Sequence, residues 1–529
     1  MQEYEVNGDR DTVNLLSIIA LFIILIAWVN YTNLSTARSI TRAREVGLRK
    51  VVGASRGQLI VQLFLETVLI NVSAIVISFA IILIALPFFR HITGTPAEFS
   101  FWARQELGIE VLILGIVGTL LSGFYPILLL SSYQPSSVLK GKFGNSTKGI
   151  ILRKILVGFQ FVMAMGLLIS TFAVFNQLKF MKNQELGFSI EQKVIVRSPR
   201  VRDASYGNQL QTFKQNIINK SGIENFCSTT DVPGRQGWWD AGAIHRKGSD
   251  DNKNYQIIGI DYDFANVFDL KFVSGRNFSK EFPSDSSALI LNETAVKWLG
   301  FENPKSSIGQ EVVYWEKTYK VVGVLKNYHQ QSLKQAFEPH IFRFMPEGRG
   351  SRGLFAIELS SNNIESILQE IKKEYDLFFP GNPFEYFFLD DYFNDQYKAD
   401  EQFGNVFGIF AFLAIFVTSL GILGLSSFMV IQRKKEIGIR KTLGASIFQI
   451  IILLTKDFQY LILLAFIVSA PISYYGIEYW LDSFAVKMSF SVGLFLFPLI
   501  LITIISGITI CFHVIKAAVA NPVNSLKYE

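Results

Sequence analysis

The sequence predicts a polytopic α-helical membrane protein. We expect about seven transmembrane helices, in two three-helix repeats plus one extra span, and one mixed α/β extracytoplasmic domain. Half of the 529 residues are hydrophobic and only 18% are charged, against about 25% charged in typical soluble proteins. The apolar residues are concentrated in seven runs, and one motif recurs on either side of a long polar segment. This composition argues against a single soluble domain and against disorder, which requires low hydrophobicity.

Seven runs are long enough to cross a ~30 Å hydrocarbon core, which takes about 20 mostly apolar residues. Because they leave almost no polar face, they are not typical of helices in a soluble protein. Glu66 and Asp457, which lie near the ends of two runs, are expected to reach the interface by snorkelling. The predicted spans are Val13–Leu34, Gln58–Phe89, Val111–Ser131, Ile155–Leu178, Gly404–Val430, Ile447–Ile477 and Met488–Ile515.

The net charge of +6 is unevenly distributed. Residues 179–401 hold 27 Lys and Arg against 30 Asp and Glu, whereas the rest of the chain holds 23 against 14. The basic excess therefore lies beside the apolar runs, where it indicates membrane orientation before nucleic-acid binding. The two cysteines, Cys227 and Cys511, are too few for a disulfide framework or a cysteine-rich metal site.

The charges of the loops predict which side of the membrane each loop faces. The loops 89–106 and 478–487 have no excess of positive charge, and basic loops stay in the cytoplasm. We therefore expect the segment 179–402 and residues 1–12 outside the cytoplasm, and the C-terminus in the cytoplasm. Residues 1–12 contain no signal peptide that would explain their position. The strongly basic loops, predicted inside, are 36–57, 134–154 and 432–446.

An internal repeat links the two ends of the chain. The segment Glu45–Ser55 (EVGLRKVVGAS) matches Glu436–Ser446 (EIGIRKTLGAS) at seven of eleven positions, with an offset of 391. A second pair, 135–140 and 522–527, shares a Pro-x-x-x-Leu-Lys pattern at an offset of 387. Because the copies run in the same direction, a pseudo-two-fold axis along the membrane normal is the natural arrangement.

The two copies differ in what precedes them. A fourth span at 155–178 and the long outer segment precede the second copy, whereas the first copy has neither. One interpretation is that the chain begins inside a longer architecture and has lost one span and one outer domain. The alternative is a true seven-span protein.

The repeated segment has the spacing of a short amphipathic helix on the cytoplasmic face. In each copy a glutamate precedes an arginine by four residues (Glu45 and Arg49, Glu436 and Arg440), an i,i+4 pair worth about 0.2–0.5 kcal/mol. The Gly-Ala pair then ends the helix, and the final serine fits as the N-cap of the next span. Anchoring to anionic lipid would need only positive charge, whereas a rigid handle gripped by a cytoplasmic protein also explains the repeated Glu and Gly.

The chain contains no phosphate-binding G-x-x-x-x-G-K-[ST] loop, and its nearest glycine-rich stretch, residues 141–149, lacks the spacing. The protein is therefore not expected to be an enzyme that hydrolyses ATP. Any nucleotide-driven motor must be a separate polypeptide.

The outer segment predicts a mixed α/β domain. Its length fits one or two small domains. Helical spacing at Tyr206–Asn219 and Ile364–Leu377 alternates with strand-like runs at Tyr319–Leu325 and Phe384–Leu389.

Candidate catalytic, metal-binding and cofactor-binding residues are few in this segment. His245 has aspartates nearby, but the Gly- and Asp-rich stretch favours a solvated turn over a metal site. His329 and His340 are expected at the surface, and no G-x-S-x-G elbow occurs. We predict no catalytic residue, metal site or cofactor.

Trp238 and Trp239 are adjacent indoles in a Gly-rich stretch that we expect to form a loop. They fit either half-buried packing or a contact for a hydrophobic ligand or partner.

The two E-[VI]-G-[LI]-R-K-x-x-G-A-S segments resemble the cytoplasmic coupling segment of ABC transporter permease subunits in the MacB/FtsX-like superfamily. Residues 521–527 (NPVNSLK) resemble the C-terminus of that family. Residues 152–161 (LRKILVGFQF), followed by ELGF at 185–188, resemble the Bacteroidetes-type members in which two permease halves are fused. Those members have eight spans and two periplasmic domains. This sequence departs from their pattern because it lacks the first span and the first periplasmic domain.

This resemblance implies a multi-pass protein of the bacterial inner (plasma) membrane, with a cytoplasmic C-terminus. Residues 1–143 would form a first FtsX-like three-helix permease unit, and 144–178 a linker and transmembrane helix. Residues 179–402 would form a MacB-like periplasmic core domain, and 403–529 a second FtsX-like three-helix unit.

The resemblance also implies partners. Two cytoplasmic ABC ATPase subunits would dock on the repeated segments, a periplasmic adaptor or substrate and membrane lipid would be further partners, and nucleic acid would not. Members of the family couple ATPase closure to bending of the spans and movement of the outer domain, called mechanotransmission. The implied ATPase-coupling residues are Glu45, Gly47, Arg49, Lys50, Gly53, Ala54, Glu436, Gly438, Arg440, Lys441, Gly444 and Ala445.

Two functions fit these residues. The first is the membrane subunit of an ABC export or mechanotransmission complex. The second is a regulatory or signalling membrane protein that controls a periplasmic partner such as a cell-wall hydrolase. A membrane-bound enzyme would require a catalytic constellation that the sequence does not show. Transport and regulation would use the same coupling segments, so the sequence does not separate them.

Overall fold

The computed structural model describes residues 10–93, 105–132, 147–235, 237–249, 251, 253–346, 353–360 and 363–519. The chain divides into two compact units. The membrane unit comprises the residues up to Leu178 and from Asp400 onward, except for Asp482–Lys487, which join Lys179–Ala399 in the outer unit. The second pair of repeated motifs, 135–140 and 522–527, lies outside the described residues.

Long apolar helices form the membrane unit. Their bounds are α1 (Arg10–Val51), α2 (Arg56–Thr93), α3 (Gln105–Ser132), α4 (Thr147–Lys182), α11 (Lys398–Gln432), α12 (Lys434–Thr442), α13 (Ile447–Leu481) and α14 (Val492–Val519). Among the described residues, six helices are long and apolar enough to cross a membrane. They confirm six of the seven predicted spans. The other predicted span, Val111–Ser131, lies within helix α3 (Gln105–Ser132), of which Gly108–Leu120 is a shorter apolar stretch among the described residues.

The outer unit is a mixed α/β domain, as predicted. Its strands are β1 (Lys193–Arg197), β2 (Ile223–Thr229), β3 (Trp238–Arg246), β4 (Lys253–Ile260), β5 (Phe272–Gly275), β6 (Ala288–Asn292), β7 (Glu311–Tyr314), β8 (Lys317–Leu325), β9 (His340–Phe344), β10 (Leu354–Leu359) and β11 (Tyr386–Phe388). Its helices are α5 (Tyr206–Ile218), α6 (Phe264–Val267), α7 (Glu293–Trp298), α8 (Pro304–Ser307), α9 (Ile364–Phe378) and α10 (Leu389–Asp395).

The strands form one sheet that is partly closed on itself. Its order is β11-β1-β10-β2-β4-β3-β7-β8-β6-β9, with β5 paired to β8. Because β4 also pairs with β9, in parallel, the strands from β4 to β9 in this order form a ring of six. One buried apolar cluster takes residues from all six ring strands.

The open part of the sheet carries the two predicted helices. Helix α5 buries Leu210, Phe213 and Ile217 at helical spacing, and α9 buries Ile371 and Tyr375. These residues pack in one cluster against β1, β2 and β10. The predicted helices at 206–219 and 364–377 are therefore confirmed to within a residue at their ends.

Two predictions about the outer unit were wrong. The stretch around Trp238, Trp239 and His245 is not a loop or turn, because β3 runs through it and pairs with both β4 and β7. His340 is buried, not exposed. It begins β9, and its Nε2 lies 2.9 Å from Oε1 of Gln256 on the neighbouring strand β4.

A buried carboxyl lies just after β2. Asp231 is 1% exposed, and its Oδ1 accepts a hydrogen bond from the N–H of Val232 at 3.0 Å. Nε of Arg235 lies 3.8 Å from the same oxygen, while Oδ2 has no hydrogen-bond partner within the described ranges. Burial raises the pKa of Asp231 to about 7 despite the nearby arginine. Burial, and then the charge of Asp231, raise the pKa of Tyr328.

We expect the stability of the outer unit to fall as the pH rises from about 4 to 7 on account of Asp231. The folded state keeps the proton up to about pH 7, whereas the unfolded chain releases it near pH 4, and the cost is on the order of 4 kcal/mol. Asp231→Asn removes this ionisation and keeps the acceptor for Val232.

The measurement is unfolding of the full chain in detergent at several pH values. The stability of Asp231→Asn relative to the parent should increase between pH 4 and 7. This difference in stability cancels the pH dependence contributed by other groups. His340 is one of them, because burial lowers its pKa to about 4. A difference that does not change with pH would contradict the assignment.

Candidate functional site

Both repeated segments end in the same backbone turn. In the first copy the N–H of Gly53 donates to the carbonyl of Lys50 at 3.2 Å, and the N–H of Ala54 donates to the carbonyl of Arg49 at 2.9 Å. These bonds form a Schellman motif, in which the glycine is left-handed, and φ of Gly53 is 104°. The second copy repeats both bonds, with φ of 90° at its glycine, through Arg440, Lys441, Gly444 and Ala445.

The serine after each turn caps the next helix. Oγ of Ser55 accepts from the N–H of Gln58 at 3.3 Å, and Oε1 of Gln58 accepts from the N–H of Ser55 at 3.0 Å. Ser446 and Gln449 form the same reciprocal pair, at 3.3 and 3.0 Å. Both serine caps are thus confirmed. The glutamines were not predicted, although the S-x-x-Q spacing of a capping box was present in the sequence.

The predicted ion pairs form in both copies. Oε1 of Glu45 lies 2.7 Å from Nη2 of Arg49, and Oε1 of Glu436 lies 3.0 Å from Nη2 of Arg440. All four side chains are about half exposed, so each pair contributes only about 0.2–0.5 kcal/mol. Arg49 also donates to Oε1 of Gln62 on α2 at 2.8 Å, which ties the end of α1 to the helix that follows it.

Each segment has one buried and one exposed apolar face. Val46 and Ile437 are buried at equivalent positions, as are Leu59 and Ile450 at the start of the next helix. On the other face large apolar side chains are exposed at equivalent positions: Leu48 (60%) and Ile439 (52%), and Val52 (82%) and Leu443 (81%). We did not predict this face. Its signal was the apolar residues three and seven positions after each glutamate.

The two copies differ at the start of the segment. In the second copy helix α12 is separate from α11, with a break at Arg433. In the first copy α1 runs without a break to Val51, so the prediction of a separate short helix was wrong there. Nη2 of Arg433 lies 3.4 Å from Oδ2 of Asp457 on α13, whose other oxygen is 3.7 Å from Nζ of Lys154. Asp457 is therefore ion-paired to two other parts of the membrane unit, while its reach to the membrane interface stays a prediction.

The remaining predicted site residues occupy less informative positions. Gly47 lies within α1 and Gly438 within α12, each two residues after the glutamate of the ion pair. In β3 the backbone of Trp238 pairs with Ile257 and that of Trp239 with Gln256.

Gly53→Ala should destabilise the turn between α1 and α2 by about 1–2 kcal/mol, because an L side chain is strained at a left-handed φ. The matched control is Gly57→Ala. At both positions an added Cβ would meet no atom within 4 Å, so only the backbone conformation differs, and Gly57 lies in helix α2. Thermal unfolding in detergent should show a lower midpoint for Gly53→Ala only. Equal midpoints for the two variants would contradict the capping role.

Comparison with known families matches nearly the whole chain. The family described as "FtsX-like permease C-terminal" matches residues 17–135 and 408–522. The family described as "MacB-like periplasmic core domain" matches residues 155–373.

Individual relatives are more distant. The chain is 25% identical over 287 residues to the uncharacterized ABC transporter permease YknZ of Bacillus subtilis (strain 168), covering 52% of this chain and 70% of that protein. The crystal structure of the periplasmic region of MacB from Actinobacillus actinomycetemcomitans has a TM-score of 0.28 and 15% identity, covering 38% of this chain and 91% of that one. The extracellular domain of the YknZ transporter from Gram-positive bacteria has a TM-score of 0.27 and 15% identity, covering 37% and 97%.

The two family matches each fall on the part of the chain where the fold fits them. The permease family covers most of the long apolar helices on both sides of the outer unit, and the core-domain family begins in α4 and covers most of the mixed α/β fold. The chain therefore belongs to the FtsX-like family of ABC transporter permeases and carries a MacB-like periplasmic core domain between its two permease repeats.

Proposed function

We propose that this chain is the membrane subunit that couples ATP hydrolysis by separate cytoplasmic ATPase subunits to export or mechanotransmission at the periplasmic face. The observation that carries the proposal is the repeated helix end: two copies have the same ion pair, the same glycine turn and the same capping box. A membrane permease of this family requires an ATPase partner, and the two copies provide one docking segment for each of two ATPase subunits.

The rigidity of each segment supports force transfer. The Schellman turn and the capping box satisfy backbone groups on both sides of a very short connection. The buried side chains Val46 and Ile437 fix the inner face of each segment. A push on the segment would therefore move the following span, α2 or α13, instead of being absorbed by a flexible loop.

The exposed face fits a protein partner better than lipid alone. Leu48, Val52, Ile439 and Leu443 are apolar and exposed, and each pair lies beside an arginine and a lysine. Helix-in-groove recognition uses such an apolar stripe with charged flanks. An anionic lipid surface would need only the basic residues.

On the outer side we propose that Trp238 and Trp239 contact a periplasmic adaptor or substrate. Both residues lie on strand β3, and tryptophan is common in contacts with partners because it is large and amphipathic. With the basic segments in the cytoplasm, the outer unit lies in the periplasm of an inner-membrane protein, and the C-terminus is cytoplasmic.

The double variant Val52→Asp/Leu443→Asp should reduce the amount of the P-loop ATPase that co-purifies with the chain by about tenfold or more, since about 1.4 kcal/mol corresponds to tenfold. Buried charges opposite an apolar groove are costly to desolvate. The control is Val201→Asp/Leu377→Asp, two residues of the outer unit that are 75% and 71% exposed. Retention of the ATPase by the first variant at the level of the control would remove the docking assignment.

The proposed orientation in the membrane predicts from which side a reagent can label each segment. In a chain without Cys227 and Cys511, single cysteines at Val52 or Leu443 should react with a membrane-impermeant maleimide in inverted vesicles and not in intact spheroplasts. A cysteine at Val201 should show the opposite pattern. If Val52→Cys and Leu443→Cys reacted from the outside, the arrangement in the membrane would be inverted and the proposed function would be wrong.

A further inference from the structure

Helices α1 and α11, which are equivalent in the two repeats, meet at equivalent residues. Asn30 and Gly421 are 391 positions apart, the offset of the repeat. Nδ2 of Asn30 donates to the carbonyl of Val417 at 3.0 Å, and its Oδ1 lies 2.7 Å from the point where a Cβ on Gly421 would be. Equivalent residues of two related copies touch only near the axis that relates the copies. This contact therefore marks the pseudo-two-fold axis of the membrane unit.

The crossing is asymmetric in its chemistry. The first copy contributes Asn30 and Asn33, and the second copy contributes Gly421 and Gly424 at the same two positions. The glycines allow the close approach, because a Cβ on Gly424 would lie 1.7 Å from Cδ2 of Leu34. Small residues on one membrane helix commonly receive the side chains of another in this way.

Several polar atoms at this crossing are buried without a partner. Among the residues that the structure describes, Oδ1 of Asn30, both amide atoms of Asn33 and Oγ1 of Thr418 make no hydrogen bond. Asn33 is fully buried. A third helix, α4, also contacts this region, because Nε2 of the buried Gln160 donates to the carbonyl of Ile26 on α1 at 3.2 Å.

These atoms are buried within the spans Val13–Thr36 and Lys398–Ser427, in the half of each span nearer the repeated segments. An unsatisfied polar group costs more there than at a surface, because no bulk water can replace the missing bond. Polar residues inside membrane proteins mark functional sites by default. These polar atoms therefore require a partner that can both donate and accept hydrogen bonds.

We propose that the crossing of α1 and α11 is a water-binding polar pivot on which the two permease repeats rock against each other. Water supplies the missing donors and acceptors for Asn30, Asn33 and Thr418, and ordered internal water typically makes about three hydrogen bonds. Because water can exchange partners as the helices tilt, it holds the crossing together without locking one angle. In the proposed function this pivot carries the movement, but its properties can be measured without an ATPase.

Asn33→Leu replaces the amide with an apolar group of the same branching and number of heavy atoms, and the matched control is Asn71→Leu on α2, which makes the same change in side-chain volume. Nδ2 of Asn71 already donates to the carbonyl of Thr67 at 2.9 Å, so this control removes a satisfied amide. Each variant is made in the cysteine-free full chain in nanodiscs, with spin labels at Val52→Cys and Leu443→Cys. Pulsed dipolar spectroscopy then gives the distribution of distances between the two cytoplasmic segments.

We expect a broad distribution in the parent, a distribution at least about twofold narrower in Asn33→Leu, and no narrowing in Asn71→Leu. Radiolytic hydroxyl-radical labelling should modify the fully buried Ile26 in the parent and should do so several-fold less in Asn33→Leu, since buried side chains react only beside internal water. An unchanged width in Asn33→Leu, or equal narrowing in the control, would overturn the pivot. Unmodified Ile26 in the parent would overturn the role of water.

A failure of ATPase docking would change neither the distance distribution nor the labelling of Ile26, so the two proposals can fail separately.

Discussion

The constraint on which the membrane unit depends is that hydrocarbon cannot satisfy a backbone N–H or C=O. Every segment at membrane depth must therefore be helical, and irregular backbone is confined to the ends of the helices. This confinement is why the two short turns at Gly53 and Gly444 matter. They are the points where the chain can change direction, and each is closed by hydrogen bonds on both sides, so that the direction is fixed.

The internal repeat shows which features the two halves share and which they do not. The ion pair, the glycine turn, the capping box and the exposed apolar face occur in both halves, and these are the features that a partner outside the membrane would contact. Among the described residues, the break between helices at Arg433, and the pair of glycines that replaces two asparagines at the helix crossing, occur in the second half only. The shared features thus lie at the surface of the unit and on the buried side chains directly beneath it, Val46 and Ile437. The differences lie at the helix break and at the helix crossing.

The outer unit is stabilised in a different way from the membrane unit. Its stability comes from apolar clusters on both faces of a sheet, and several polar groups are buried within them. His340 is bound to Gln256 on the neighbouring strand, and burial lowers its pKa. Asp231 has only partial compensation, and its pKa is raised. This carboxyl therefore makes the folding stability of the outer unit depend on pH.

The sequence by itself determined the features that depend on local or periodic physics. Apolar runs of sufficient length predicted the spans, helical periodicity predicted α5 and α9, and the glutamate–arginine spacing with Gly-Ala-Ser predicted the ion pairs, turns and caps within a few residues of each other in the chain. The tertiary structure alone decided the rest, because it depends on partners far apart in sequence. Strand β3 replaced the expected loop only through pairing with β4 and β7. His340 is buried because β4 lies beside it. The contact of Asn30 with Gly421, and the polar atoms left unpaired around it, exist only where two helices 391 residues apart come together.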